Sequence, residues 1–180
     1  RVQPITGDRV VVTGGLDLYA PQGRLSLICR TLQPDGAGDL AARLEALKRK
    51  LAAEGLFDPE RKQPLPPMPS CIGVATSPTG AALQDVLKVL RRRFPGRHVL
   101  LSPCKVQGDG AAASVIDALR LLQHDGRAEV IIFGRGGGSP EDLMAFNDEA
   151  LAREVAACSI PTVSAVGHEV DVSICDLVAD

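Results

Sequence analysis

The 180-residue chain has no tryptophan, one tyrosine and four phenylalanines. With so few rings, stacking of bases on aromatic side chains is sparse at best, and affinity for a nucleic acid would have to rest on charge or on further segments. Charge of one sign is lacking too. Twenty Lys and Arg against 22 Asp and Glu leave a net charge of -2, with a pI near 5.9. That excludes a globally basic binder and leaves only a local patch. Cysteines number five, Cys29, Cys71, Cys104, Cys158 and Cys175, with no Cys-x-x-Cys pair. The odd count and wide scatter exclude a zinc ribbon or a disulfide framework. Reduced, buried thiols in a cytoplasmic protein are the expectation. No apolar run is long enough to cross a bilayer and no stretch reads as a secretory leader, so no membrane is expected among the partners. The first residue is not methionine and the pattern stops abruptly at Asp180, as in part of a longer chain.

What is present is 45% apolar content, ample for the core of one domain with an appendage. The chain is organised around Val130-Ile-Ile-Phe-Gly-Arg-Gly-Gly-Gly-Ser139. A short apolar strand empties into three glycines and then a helix start, with Ser139 as N-cap, Pro140 at the first helical position and Asp142 completing a capping box. Gly136, Gly137 and Gly138 let the backbone approach a ligand closely, and a helix N-terminus presents free N–H groups at its positive end. Arg135 adds a permanent, forked cation. The combination predicts an anion site, most simply for phosphate; a plain glycine turn would leave Arg135 unexplained. No Gly-Lys-Ser/Thr follows, and the glycines lack dinucleotide-fingerprint spacing.

Residues 1–33 read as β, with strands over Arg9–Thr13, Leu16–Ala20 and Arg24–Arg30. Three strands are too few for an independent core, which suggests the end of a small β-barrel. Residues 34–69 hold a linking helix from an Asp39 cap to about Glu54, with Leu40, Leu44, Leu47 and Leu51 as its apolar stripe, then the stiff Gln63-Pro-Leu-Pro-Pro-Met-Pro69. Residues 70–180 change to strand–helix repeats. Strands are expected over Cys71–Thr76, His98–Ser102, Val130–Phe133 and Pro161–Val166. Helices are expected over Pro78–Arg93, Gly110–Gln123 and Ser139–Cys158, and from about His168. The rhythm predicts an α/β fold, a mainly parallel sheet with helices on both faces, preceded by the partial barrel and linking helix.

Ligands of such sheets bind outside the carboxyl ends of the strands. That rule gathers Ser77 and Thr79, the Val106-Gln-Gly-Asp-Gly110 turn, Arg135 with its glycines, and Gly167-His168-Glu169 along one edge. His168 and Asp171, three residues apart, suit a His–carboxylate pair for proton transfer near neutral pH. Asp85, on the first helix of the repeats with Ser77 as its cap, is either a solvated residue or a carboxylate that orients Arg135 or a water. Phosphodiester hydrolysis would use Arg135 and the loop amides against developing charge, His168 for proton work, and Asp171 or Asp85 for orientation. Alternatively Asp85, His168 and Asp171 hold a divalent metal, although no His-Glu-x-x-His or Asp-x-Asp pattern favours it. Lys88, Arg91, Arg92, Arg93, Arg97 and Lys105 form a locally basic stretch, either a solvated face or a track for phosphates with strong salt dependence.

The ordered set of motifs goes further. Gly55-Leu-Phe-Asp-Pro59, Ile72-Gly-Val-Ala-Thr-Ser-Pro-Thr-Gly-Ala-Ala82, Asp85-Val86, Val89-Leu-Arg-Arg-Arg-Phe-Pro95, Val106-Gln-Gly108, Arg135-Gly-Gly-Gly-Ser139, Ala145-Phe-Asn-Asp-Glu-Ala150 and Ala165-Val-Gly-His-Glu169 with Asp171 together resemble the large subunit of bacterial exonuclease VII. The resemblance covers nearly the whole chain. It implies a nuclease that degrades single-stranded DNA from either end to 5'-phosphorylated products, with an N-terminal OB-fold, a catalytic α/β domain and a C-terminal helical region that binds the small subunit. It makes residues 1–33 the last OB-fold strands and residues 70–180 the catalytic domain. It places the catalytic positions on Asp85, Arg135, His168 and Asp171, and implies chemistry without an obligatory cofactor, magnesium remaining possible. Three positions depart from the family's habit: Met144 stands where an aromatic is usual, and Val170 and Val172 stand where Thr and Phe flank the aspartate. A non-catalytic phosphate- or nucleotide-binding module is the second reading of the same residues, and a scaffold for the helical subunits the third.

Overall fold

The computed structural model describes residues 10–19, 23–34, 37–137, 140–167 and 172–180. By its internal contacts the chain divides after Leu47 into a unit of residues 1–47 and one of residues 48–180.

The first unit holds two antiparallel strands, β1 (Val10–Tyr19) and β2 (Arg24–Pro34). The two strands expected over residues 9–20 are one. The Gly14-Gly15 pair that reads as a break is instead a register shift between Thr13 and Gly14. A Cβ on Gly14 would run into the backbone of Ile28, so glycine there lets the strands stay paired through an irregularity. Helix α1 (Ala37–Ala53) follows. It starts ahead of Asp39, which is therefore inside the helix and not its cap.

The second unit is built on a four-stranded parallel sheet. Its strands are β3 (Cys71–Thr76), β4 (His98–Pro103), β5 (Val130–Arg135) and β6 (Thr162–Val166), in the order β4-β3-β5-β6. Alternation along the strands separates two faces. Ile72, Val74 and Val130, with Val99, Leu101, Ile132 and Val163, pack against Leu83, Val86, Leu87 and Leu90 of α2 (Ala81–Arg93). Gly73 points the other way, where a Cβ would lie 3.2 Å from Leu122 of α3 (Ala111–Asp125) and from Ile131 and Ala128. Helices therefore cover both faces, and a side chain at 73 would crowd Leu122, Ile131 and Ala128, which would have to give way slightly.

The helix expected over Ser139–Cys158 is broken. Its pieces are α4 (Pro140–Leu143), a 3₁₀ turn over Met144–Asn147, and α5 (Glu149–Ala156). Two strong cap formers in sequence cause the break. The Asp148 carboxylate accepts from the Leu151 N–H at 3.0 Å, and the Asn147 side chain accepts from the Ile174 N–H at 2.9 Å. That second bond ties the turn to α6 (Ile174–Val178), whose Ser173 and Asp176 form a capping box. The helix start expected near His168 lies outside the described residues.

The Pro-rich stretch is fastened to the sheet unit. Lys62 Nζ donates to the Ala179 carbonyl at 2.6 Å, the Gln63 N–H to Asp180 Oδ1 at 2.6 Å, and Gln63 Nε2 to the Cys158 carbonyl at 2.8 Å. Asp180 Oδ2 accepts from both the N–H and the hydroxyl of Thr162, so one carboxylate clamps the strap and the start of β6.

Candidate active site

From β3 the chain winds outward to β4 and then crosses back over to β5, so the order of strands reverses between β3 and β5. In open parallel sheets the crevice at such a point, beyond the strand carboxyl ends, is where ligands bind. Here β3 and β5 pair as far as Ala75 and Phe133. One step on, Thr76 Oγ1 donates to the buried Gly134 carbonyl at 2.8 Å, so a side chain fastens the two strands where the ladder stops. Gly134 has φ +149, and a Cβ on it would run into the Ala165 backbone of β6. Only glycine lets β5 and β6 close together at this height.

Arg135 ends β5, with its side chain only 11% exposed. Nε donates to the Gly136 carbonyl at 3.1 Å and Nη2 to the Gly137 carbonyl at 3.2 Å. Nη1 is buried without a hydrogen-bond partner, 3.4 Å from Asp142 Oδ2. The guanidinium thus pins its own glycine loop with two nitrogens and faces the Asp142 carboxylate with the third. Expected at the mouth of the turn, Arg135 is instead mostly enclosed. Taking a cation out of water is costly unless it is paired; Asp142 offsets part of that cost, and an anion that reached the guanidinium would add a charge-assisted bond.

Arg135 and Gly136 line two adjoining cavities. The larger, about 500 Å³, is also bounded by Asp85 and Val86 of α2, by Ser164 and Gly167, and by Val172. The smaller, about 360 Å³, adds Thr76, Ser77, Lys105, Gln107 and Gly137. The predicted residues Asp85, Arg135, Gly136, Gly137 and Ser77 thus meet at one edge, and the Thr79 hydroxyl lies 3.5 Å from that of Ser77. Gly138, Ser139, His168 and Asp171 lie outside the described residues, as does the capping box assigned to Ser139 and Asp142. Gly167 and Val172, on either side of the stretch that holds His168 and Asp171, both line the larger cavity.

Two expectations change. Ser77 is not the cap of α2. The Gly80 N–H donates to the Ser77 carbonyl at 3.3 Å, an extra turn that makes Gly80 the N-cap. Asp85 is then the fifth residue of α2, one turn in, and on the cavity wall. Second, the carboxylate that the structure sets within ion-pairing distance of Arg135 is Asp142.

Sequence reasoning missed Asp142 in this role and also missed Ser164, whose hydroxyl is buried without a partner. The available signal for Ser164 was a lone serine inside an apolar strand. Of the three residues a metal would need, Asp85, His168 and Asp171, only Asp85 is among those described. Cys104, just after β4, offers no nucleophile: burial pushes its thiol up to about 11.

The fold and site define an α/β domain whose edge, at the reversal of its strand order, carries an enclosed arginine and a glycine loop beside two cavities. The sequence model described as exonuclease VII, large subunit, matches residues 56–180. The chain is 55% identical over its whole length to the exodeoxyribonuclease 7 large subunit of Syntrophotalea carbinolica, covering 45% of that protein. It is 52% identical over its whole length to the protein of that name from Koribacter versatilis, covering 40%. Over 178 residues it is 49% identical to the one from Geobacillus kaustophilus, again covering 40%. The chain belongs to the exonuclease VII large subunit family, and it spans less than half the length of these relatives.

Proposed function

We propose that the protein is a single-strand-specific exodeoxyribonuclease whose phosphodiester hydrolysis is carried out at the edge between β3 and β5. The observation that carries the reading is the enclosed Arg135 guanidinium, held by two loop carbonyls and 3.4 Å from the Asp142 carboxylate, in a residue that lines two adjoining cavities. Arg135 and the amides of Gly136, Gly137 and Gly138 take the scissile phosphate, with Ser77, Thr79 and Ser139 around it. His168 moves the proton, Asp171 orients it, and Asp85, on the wall of the larger cavity, positions a water. Degradation proceeds from 5' and 3' ends to 5'-phosphorylated products. The antiparallel pair β1–β2 forms the last strands of an OB-fold that feeds single strands to the site. The small helical subunit binds through a region beyond these residues, in the cytoplasm. Among the described residues no helix is long and apolar enough to cross a membrane.

No cofactor is required in this proposal. If magnesium takes part, Asp85, His168 and Asp171 would hold it. End-labelled single-stranded DNA incubated with the full-length protein and its small partner, with and without excess EDTA, tests both points. Cleavage that persists in EDTA and is lost in His168→Ala, without loss of folding, is expected. Cleavage that stops in EDTA and returns with magnesium would replace the acid–base scheme with a metal site. Near-normal turnover by His168→Ala would remove His168 from the chemistry. Binding that depends on Arg135, without turnover under any condition, would make the domain a phosphate-binding module.

A further inference from the structure

Asp85 is not confined to the larger cavity. It also borders two further cavities that continue along α2, one of about 500 Å³ lined by Gln84, Leu87, Lys88, Arg91 and Arg92, the other of about 340 Å³ lined by Lys88, Val89 and Arg92. Helical spacing explains the continuity. Asp85, Lys88 and Arg92 stand at i, i+3 and i+7, a single stripe, turned away from the Leu83, Val86, Leu87 and Leu90 face that packs on the sheet. At 1.5 Å per residue this stripe reaches about 10 Å from Asp85 to Arg92.

Its cations are unspent. Lys88, Arg91, Arg92 and Arg93 are all exposed, and among the described residues none is ion-paired with a carboxylate. Elsewhere on the unit, Lys50, Arg120, Arg127 and Arg153 each have one. Three arginines in a last helical turn complement the helix dipole, a role that leaves their exposed guanidinium groups open to an anion. Lys88, in mid-helix and on the stripe of Asp85, is not accounted for in that way.

We infer that this stripe of α2 is the track along which the backbone of a single polynucleotide strand runs to or from the site, with Lys88 and Arg92 each meeting a phosphate. Charge complementarity selects the occupant: two free cations and an adjoining arginine, spaced along a line that ends at the cavity, suit a chain of evenly spaced anions. The single aromatic residue near the helix end, Phe94, is half-buried, so the track reads backbone and not base. The inference rests on the proposed function for its direction, since the track is drawn as ending at the site of cleavage.

The test measures the affinity of fluorescein-labelled oligo-dT for the full-length protein across a salt series, in wild type, Lys88→Gln, Arg92→Gln and the double variant. Each lost phosphate contact lowers the slope of log affinity against log salt by about 0.7 for a single strand, so each single change should remove about that much and the double about twice it. Arg120→Gln on α3 is the control and should leave the slope unchanged. An unchanged slope in the double variant overturns the track, whatever the turnover, and would leave the stripe to an acidic protein partner or to solvent. A reduced slope in a protein that cleaves nothing keeps the track and sinks the nuclease reading, so the two fail separately.

Discussion

Thr76 Oγ1 and the Gly134 carbonyl meet at 2.8 Å, both buried, one step beyond the last backbone pair of β3 and β5. This bond holds the floor of the crevice in which Arg135 sits, because Arg135 is the next residue after Gly134. Thr76→Val keeps the shape and removes the donor. A buried acceptor left unmet costs about 1–3 kcal/mol, which a urea titration would read, and Thr76→Ser should recover most of it. Equal stability of the valine variant and wild type would show that the carbonyl finds another partner.

Arg135→Lys tests what the fork does. A lysine ammonium is a compact charge on a flexible stem and cannot hold the Gly136 and Gly137 carbonyls while presenting a third nitrogen. Turnover of single-stranded DNA by the full-length protein should fall on the order of 10²–10³-fold, the range for losing one preorganised donor to developing charge. Circular dichroism should keep its shape, while the unfolding midpoint falls somewhat because a mostly enclosed side chain gives up hydrogen bonds to its loop. A fall in activity smaller than tenfold would mean that charge alone suffices.

The parallel sheet was legible in the sequence because each buried strand is a short apolar run followed by a helix with leucines at helical spacing. All four strands fall within two residues of their expected bounds. What failed was local. Asn147 and Asp148 cut a helix that periodicity alone would continue, since their side chains accept backbone N–H groups across and along the chain. Gly14 looked like a turn and is a close approach between paired strands. The edge of the site followed from topology, so Asp85, Arg135 and the glycines could be placed together. The pairing of Arg135 with Asp142 could not, because it depends on how a short helix is angled after the glycine loop. Tertiary pairings of that kind leave no period in the sequence.

The thiols divide by burial. Cys104, Cys158 and Cys175 are enclosed, and desolvation raises all three thiols, that of Cys104 to about 11. The thiolate is the reactive form, so at neutral pH these three should resist iodoacetamide in the folded protein. Cys29 is exposed and should label first; Cys71 is half-buried with its thiol also raised, chiefly by burial, and should lag behind it. Mass mapping of labelled peptides before and after urea checks the order. Early labelling of Cys175 would mean that α6 opens in the native state.

A charged cluster ties the end of α1 to α5 and gives the stability of this unit a pH signature. Arg153 bonds Glu54 and Glu149, and Lys50 bonds Glu149, at 2.7–3.0 Å. The Arg153 hydrogen bond holds the Glu54 carboxyl below its ordinary 4.5, and the bonds from Lys50 and then Arg153 do the same for Glu149. A carboxyl with a lowered folded-state value stabilises fully above its unfolded value and loses that stabilisation as pH falls through the folded one. Wild type should therefore exceed Arg153→Gln in urea midpoint at neutral pH, with the gap closing as pH drops below the ordinary glutamate value. Salt should narrow the gap as well, because the groups are exposed and screened. A gap that stays constant from neutral to acid pH would assign the effect to packing of the arginine stem and not to its charge.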